Sequence, residues 1–418
     1  VYVGAQFQEY QELMFRHSSR LTAHMATGNS HAVLANRISY LLNLNGPSEA
    51  IDTACSSSLV AIHRAIKSLQ DGEIEAAIAG GVSLALSPET YVLTSQMGAF
   101  APDGQCKTFD RSANGYVKGE GVGAVLLKPL DKAIEAGDHI YGVIKGSAVN
   151  HGGKSQSMTA PSPRAQADLL LEAYDKAGVD PSPVRYIETH GKGTELGDPI
   201  EIDGLKRAFS ELYQRRGIPA PAEPTIGLGA VKTNVGHLEP AAGMAGLFKI
   251  LLSMQHKYLP PNLGFHQQNP YIDLSDSPFF LMTKGREWKG NLPTDNEPAH
   301  LRAGLSSFGF GGSNAHLVLE DYVPSLSHDD AQYSDDQPYV VVLSSKSDEC
   351  LQAMVTNLYR FVLAWEKSVE SEQAQASFRS LVYTLQIGRV AMPYRLAIVV
   401  KNIQELIDSL AGLQTKFN

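Results

Sequence analysis

The sequence predicts a layered α/β fold, on three observations. Short apolar runs alternate with longer amphipathic stretches as far as about residue 320. A length of 418 residues gives room for one large domain and a smaller one. Hydrophobic and charged fractions of 43% and 19% are those of an ordinary globular chain.

The chain opens on VYVGAQF, which reads as the end of a strand whose preceding elements are missing from the excerpt. Strands are predicted at 49–53, 76–79, 124–128, 140–149, 186–189, 226–231, 301–305 and 316–320. Helices are predicted at 57–70, 163–177, 198–209 and 240–255. The first of these has apolar residues at 59, 60, 62, 66 and 69, one buried face. The third starts on Asp198-Pro199, a good cap followed by a good first residue, and the fourth opens on Pro240. Residues 1–320 are thus assigned to one domain. Residues 321–338 hold five Asp and no Lys or Arg, and read as a solvated linker. Residues 339–418 alternate again (YVVVLSS, DECLQAMVTNLYRFVLAW, FRSLVYTLQIG, YRLAIVV, IQELIDSLAGL), the start of a second small α/β unit.

Charge and cysteine use exclude several classes. With 35 basic against 44 acidic residues the net charge is −9, which argues against a general nucleic-acid binder. Cys55, Cys106 and Cys350 are far apart, with neither a disulfide framework nor metal-ligand spacing, so a reducing cytoplasm is the expected setting. No apolar run reaches the roughly 18 residues of a membrane span.

Four stretches can carry chemistry. In DTACSSSL, Cys55 stands where a strand ends and a helix begins, a place whose free N–H groups favour a thiolate. The segment alone leaves a reactive thiol and a packed structural cysteine equally open. In YIETHGKGTELGDPIE, His190 stands at a strand end in a glycine-punctuated loop, suited to proton transfer or oxyanion stabilisation. In VKTNVGHLEPAAG, Lys232 and His237 precede a helix, where an imidazole tends to stay neutral and able to polarise a carbonyl. In LSSFGFGGSNAH, Phe308 to Gly312 can expose backbone N–H groups to a ligand oxygen and hinge an aromatic gate. Taken singly, His190, Lys232 and His237 read more readily as ordinary surface, capping or packing residues, and the last stretch also reads as a tight strand-to-strand turn. Gly119 to Gly123 resembles a dinucleotide fingerprint but leads into a strand, so these glycines are read as close-packing positions. Cys106 is read as structural.

In combination and in this order, DTACSSSL, THGKGTELGDP, KTNVGH and SFGFGGSNAH resemble the β-ketoacyl synthase domain of bacterial modular polyketide synthases. The resemblance covers about residues 1–320. It implies a thiolase-like fold, two α/β halves forming a five-layered αβαβα sandwich that is here truncated at its N-terminus, and a homodimer. It implies Cys55 as the acyl-accepting nucleophile, His190 and His237 as the histidines serving malonyl decarboxylation, and Lys232 as their electrostatic support. The N–H groups of Cys55 and Phe310 would form the oxyanion hole, with Phe310 also the gate. Thr159 and Thr194 would bind phosphopantetheine, with Phe308 in the substrate channel and Met97 and Phe100 bordering the acyl pocket. The substrates would arrive on an acyl carrier protein, without a cofactor or metal of the enzyme's own. GHLEPAAGMAGLFKILLSMQH leans toward synthases whose acyltransferase is a separate protein.

Two positions depart from the family pattern. Lys192 replaces a Thr of the usual HGTGT loop and is expected to point outward, and Thr189 replaces an Ala. The retained Cys55 and His190 favour an elongating enzyme over a non-elongating transacylase or a docking and dimerisation scaffold without turnover.

Overall fold

The computed structural model describes residues 1–18, 20–290, 299–324, 338–366 and 371–417, the last range as backbone alone at 371–377 and 416–417. The chain divides into two compact units, Val1–Pro324 and Ser325–Asn418. Residues 325–337, most of the predicted acidic linker, lie outside the described residues.

The first unit runs β1 (Tyr2–Gly4), α1 (Glu9–His17), α2 (Ala23–Asn29), α3 (His31–Leu42), β2 (Glu49–Ile51), α4 (Ser57–Gln70), β3 (Ala77–Ser83), α5 (Pro88–Gln96), β4 (Gly121–Leu127) and α6 (Leu130–Glu135). It continues through β5 (Val143–His151), α7 (Pro163–Ala177), β6 (Val184–Glu188), α8 (Gly197–Arg216), β7 (Ile226–Gly229), α9 (Lys232–Val235) and α10 (Ala242–His256). It closes with β8 (Tyr258–Leu259), β9 (Phe279–Leu281), β10 (Arg286–Glu287), β11 (Arg302–Phe308) and β12 (Ser313–Glu320).

Two sheets result. One has the order β2-β1-β3-β4, parallel except for β4, and the other the order β5-β12-β11-β6-β7-β9, parallel from β11 to β9. The strands β11 and β12 are buried almost throughout, as continuous apolar and small-residue runs require in a sheet covered on both faces. The helices α4 and α10 lie between the sheets. Leu59 and Ile62 of α4 and Met244, Leu247 and Ile250 of α10 join Tyr2, Leu305 and Leu317 in one core. The outer face of the larger sheet is covered by α7 and α8 through Leu169, Tyr174, Leu205 and Phe209. The outer face of the smaller sheet is covered by α3, where Ala35 packs on Val1 and Val3. The order is therefore helix, sheet, helix, sheet, helix: five layers. The Ser162 hydroxyl caps α7 at the Ala165 N–H, and Gly178, at φ +61°, ends it.

The second unit contains β13 (Tyr339–Ser345), α11 (Asp348–Glu366), α12 (Ser371–Ile387), β14 (Tyr394–Val400) and α13 (Ile403–Phe417). β13 and β14 pair antiparallel over a core of Val341, Val355, Phe378 and Leu406. Among the described residues no helix is long and apolar enough to cross a membrane.

Candidate active site

In the larger sheet, β6, β7 and β11 run parallel and their carboxyl ends lie together, the usual location for a ligand crevice in an α/β sheet. His190 follows β6, Lys232 follows β7, and Phe308 ends β11 with Phe310 just beyond. Cys55 arrives from the smaller sheet, after β2.

The Cys55 turn is strained and well tied. Ala54 has φ +55°, a left-handed conformation costing a non-glycine residue about 1–3 kcal/mol. Its N–H donates to the Asp52 Oδ1 (3.0 Å), and its carbonyl accepts from the Ser57 hydroxyl (2.6 Å), which itself accepts the Thr53 N–H (2.9 Å). This elbow turns Cys55 out of a 3₁₀ turn, Ala54–Ser56, at the head of α4. The Phe310 backbone lies close enough to the Cys55 sulfur to act on its thiol in the lowering direction. Gly309 makes that approach feasible, since a methyl there would collide with the Thr53 carbonyl oxygen.

The sulfur of Cys55 and one nitrogen each of His190 and His237 lie within 4.8 Å of one another. The two rings stand nearly perpendicular, with centroids 5.3 Å apart. The Nδ1 of His237 accepts the Glu239 N–H (3.0 Å), which leaves the ring proton on Nε2, and that atom is buried without a hydrogen-bond partner. The Nδ1 of His190 likewise accepts the Phe308 N–H (3.3 Å). Burial, followed by the Lys232 charge, holds both imidazoles well below the usual histidine range. They are neutral and present N–H donors to the cavity. Their neutrality comes chiefly from desolvation rather than from a helix end.

Cys55 departs from the sequence expectation. Burial is the largest influence on its thiol and raises it above the ordinary range, against the lowering influence of Lys192 and Lys232. Burial thus opposes the thiolate that the helix terminus was expected to favour. Three donor atoms at this spacing could also bridge a zinc ion, but a thiol kept protonated and two lysine charges acting on it are poor surroundings for a dication.

Lys232 is 4% exposed, and burial lowers it while Glu188 and Glu201 raise it. Thr159, His190, Lys192, Phe308 and Phe310 all line one cavity, together with Gly191 and Asp198. Lys192 therefore points inward, contrary to the outward expectation. Its stem passes Gly197, where a Cβ would lie 3.5 Å from Lys192 Cε, and an inward turn was not visible from its identity alone. Thr194 is not in that lining, but its buried hydroxyl has no partner and lies against Gly197, which is. Met97 is not brought to the cavity: it caps the end of α5 and is 63% exposed, because α5 buries no residue that would draw it inward. Phe100 packs edge-on against Tyr116, which in turn contacts the His237 ring.

Several positioning residues were not identified from the sequence. The Glu201 carboxylate accepts the N–H groups of both His190 (2.7 Å) and Gly191 (2.9 Å). Asp198 accepts those of Gly193 (3.1 Å) and Phe109 (2.8 Å). Glu188 accepts the Val231 N–H and the Tyr186 hydroxyl and pairs with Lys249 (2.9 Å), fixing the turn that carries Lys232. Asp198 and Glu201 stand three apart on one face at the start of α8, a pattern that could have been noticed directly after the glycine loop.

The sequence matches the family descriptions "Beta-ketoacyl synthase, N-terminal domain" over residues 1–133, "Beta-ketoacyl synthase, C-terminal domain" over 141–266 and "Ketoacyl-synthetase C-terminal extension" over 269–396. A solved oxazolomycin ketosynthase domain, OzmH KS7 of Streptomyces albus JA3453, is 37% identical with a TM-score of 0.85, the match covering 99% of this chain and 69% of that one. The chain belongs to the β-ketoacyl synthase family. The fold is accordingly thiolase-like, and the family is one of acyltransferases. The ketosynthase from module 6 of the bacillaene synthase of Bacillus subtilis 168 is 39% identical with a TM-score of 0.82, over 99% of this chain and 66% of that one. Polyketide synthase PksN of Bacillus subtilis is 47% identical over 411 residues, 98% of this chain. This ketosynthase spans 7% of the length of PksN. The family resemblance read from four motifs thus agrees with the comparisons.

Proposed function

We propose that this ketosynthase elongates acyl chains by decarboxylative Claisen condensation, within a longer polyketide synthase. The observation that carries the reading is the convergence, within 4.8 Å of one another, of the Cys55 sulfur and two buried, neutral, N–H-donating imidazoles. In the first half-reaction the Cys55 sulfur attacks an acyl thioester, its proton ending on the departing pantetheine thiol. The Cys55 and Phe310 N–H groups serve the tetrahedral oxygen. In the second, a malonyl thioester loses carbon dioxide, and its enolate oxygen is held by the Nε2–H groups of His190 and His237. The enolate carbon attacks the Cys55 thioester, forming the carbon–carbon bond and releasing the sulfur, which recovers a proton from water. Lys232 supports the imidazoles by keeping them neutral. Thr159 and Thr194 would contact the pantetheine arm, with Phe308 packing the channel wall.

The same reading takes an acyl carrier protein as the donor of both thioesters, a homodimer as the working state and the cytoplasm as the setting. The matches to Bacillus Pks proteins support a synthase served by a separate acyltransferase. Antibiotic-type polyketide biosynthesis is the corresponding role. The test is to load the chain with an acyl-carrier thioester, follow Cys55 by intact mass, and add malonyl-carrier protein. A β-ketoacyl product is expected from wild type, with Cys55→Ala blocked at loading and His237→Ala loading but forming little product. Wild type that acylates fully yet yields no β-ketoacyl product would make the enzyme a transacylase.

A further inference from the structure

Lys192 lines the cavity that His190, Phe308 and Phe310 also line. Gly191 and Gly193 flank it with φ of +34° and +73°, and their N–H groups are held by Glu201 and Asp198. The Lys192 carbonyl accepts the Cys106 S–H (3.4 Å). With the backbone fixed at three successive residues, the side chain is held toward the cavity that His190, Thr159 and Phe310 also line. Among the described residues its ammonium forms no ion pair and no side-chain hydrogen bond. The Lys192 charge favours the nearby Asp198 carboxylate, but Asp198 and Glu201 each direct both oxygens at backbone N–H groups and neither pairs with the ammonium. Beside the Lys192 stem, across Gly197, the Thr194 hydroxyl is buried and equally without a partner.

A half-buried cation without an ion pair and a buried hydroxyl without a partner are stabilised when an anion enters between them. We propose that Lys192 binds an anionic group of the incoming thioester, either the carboxylate of a malonyl-type extender or the phosphate of its pantetheine arm. This rests on the thioester chemistry proposed above. It makes Lys192 a specificity residue, favouring donors that carry the charge. The same ammonium acts favourably on the sulfur of Cys55 and unfavourably on protonated His190 and His237, which places its field at the reacting centre.

The experiment measures binding, so that it does not depend on turnover. The full chain and its Lys192→Thr, Lys192→Met and Lys192→Arg variants are titrated by calorimetry with four unreactive amide analogues. These are malonyl-phosphopantetheine, malonyl-pantetheine, acetyl-phosphopantetheine and acetyl-pantetheine. Lys192→Thr and Lys192→Met should weaken an anionic analogue about tenfold or more and leave acetyl-pantetheine unaffected, while Lys192→Arg stays close to wild type. Weakening of malonyl-pantetheine assigns the carboxylate, and weakening of acetyl-phosphopantetheine assigns the phosphate. Unchanged affinity for all four, or equal loss for all four including the uncharged one, overturns the proposal. Condensation is assayed in parallel on wild type. A missing β-ketoacyl product there, with the charge-dependent binding intact, counts against condensation and not against Lys192.

Discussion

Replacing Glu201 with Gln isolates the group that holds the His190 loop. Its carboxylate is 3% exposed and accepts two N–H groups, yet burial raises it from 4.5 to about 7, with Asp198 adding to the rise. The folded chain therefore holds this proton more tightly than the unfolded chain does. The associated stability is present below about pH 4.5 and is lost as pH rises to about 7, and at 1.36 kcal/mol per tenfold the whole loss is about 3 kcal/mol. Glu201→Gln removes this ionisation and stands in for the protonated acid, but its NH₂ cannot accept the second N–H as the acid's hydroxyl oxygen can, a loss of about 0.5–1.5 kcal/mol. Near pH 5, where the folded wild type is itself protonated, Glu201→Gln is expected to match it within about 1 kcal/mol, and at pH 7.5 to exceed it by about 2 kcal/mol. Urea unfolding across pH 4.5–8, with a probe confined to the first unit, measures both. Its condensation rate should drop while Cys55 loading persists, because the loop carrying His190 loses half its anchor. A pH dependence of Glu201→Gln parallel to that of wild type would refute the reasoning, since it would mean that Glu201 does not titrate with folding.

Further outcomes follow from individual contacts. Alkylation, followed by peptide mass spectrometry, should show midpoints above the ordinary thiol value of 9.0 for Cys55 and near 11 for Cys106; a Cys55 midpoint near 7 would restore the resting thiolate. Gly309→Ala should slow loading and destabilise by about 1–3 kcal/mol through its clash with Thr53. Gly311→Ala, which meets nothing within 4 Å, should behave as wild type. The buried His63 imidazole, bonded to the Ser147 hydroxyl (2.9 Å), is lowered from 6.5 to about 4. Its contribution is present above pH 6.5 and lost as pH falls to about 4, up to about 3 kcal/mol. A His63→Gln variant should show a shallower acid limb in urea unfolding.

Much of the fold was legible because buried strands and amphipathic helices carry strong periodic signals. The helices 57–70 and 163–177 match the observed α4 and α7. The predicted strand at 124–128 begins at Gly121 in the structure, since Gly121 and Gly123 pack on Leu238 and Phe248 and carry no side chain to show the alternation. The predicted helix at 198–209 continues to Arg216, held by Leu212 and Tyr213 in a charged stretch that masks the apolar face. Helices α1, α2 and α3 were not predicted; α2 buries no side chain, so no apolar stripe marks it. At the site, the sulfur and both imidazoles were found from motif chemistry. The neutral His237 was expected, from a helix end rather than from desolvation, whereas the raised thiol was not, because it depends on burial by residues distant in sequence. Glu201 was missed because its partners are backbone N–H groups, and its spacing from Asp198 after the glycine loop was the one signal available.

The nucleophile and its two imidazoles belong to different sheets, and the filling between those sheets keeps them in register. At the head of α4, a Cβ on Gly81 would press on the Ser58 side chain at 2.8 Å, and one on Gly243 on Leu59 at 2.5 Å. These contacts act as a spacer of fixed thickness under the sulfur. Adding a single methyl group there would widen the gap across which the new carbon–carbon bond must form. A defect in turnover could therefore arise from a residue that no substrate ever meets.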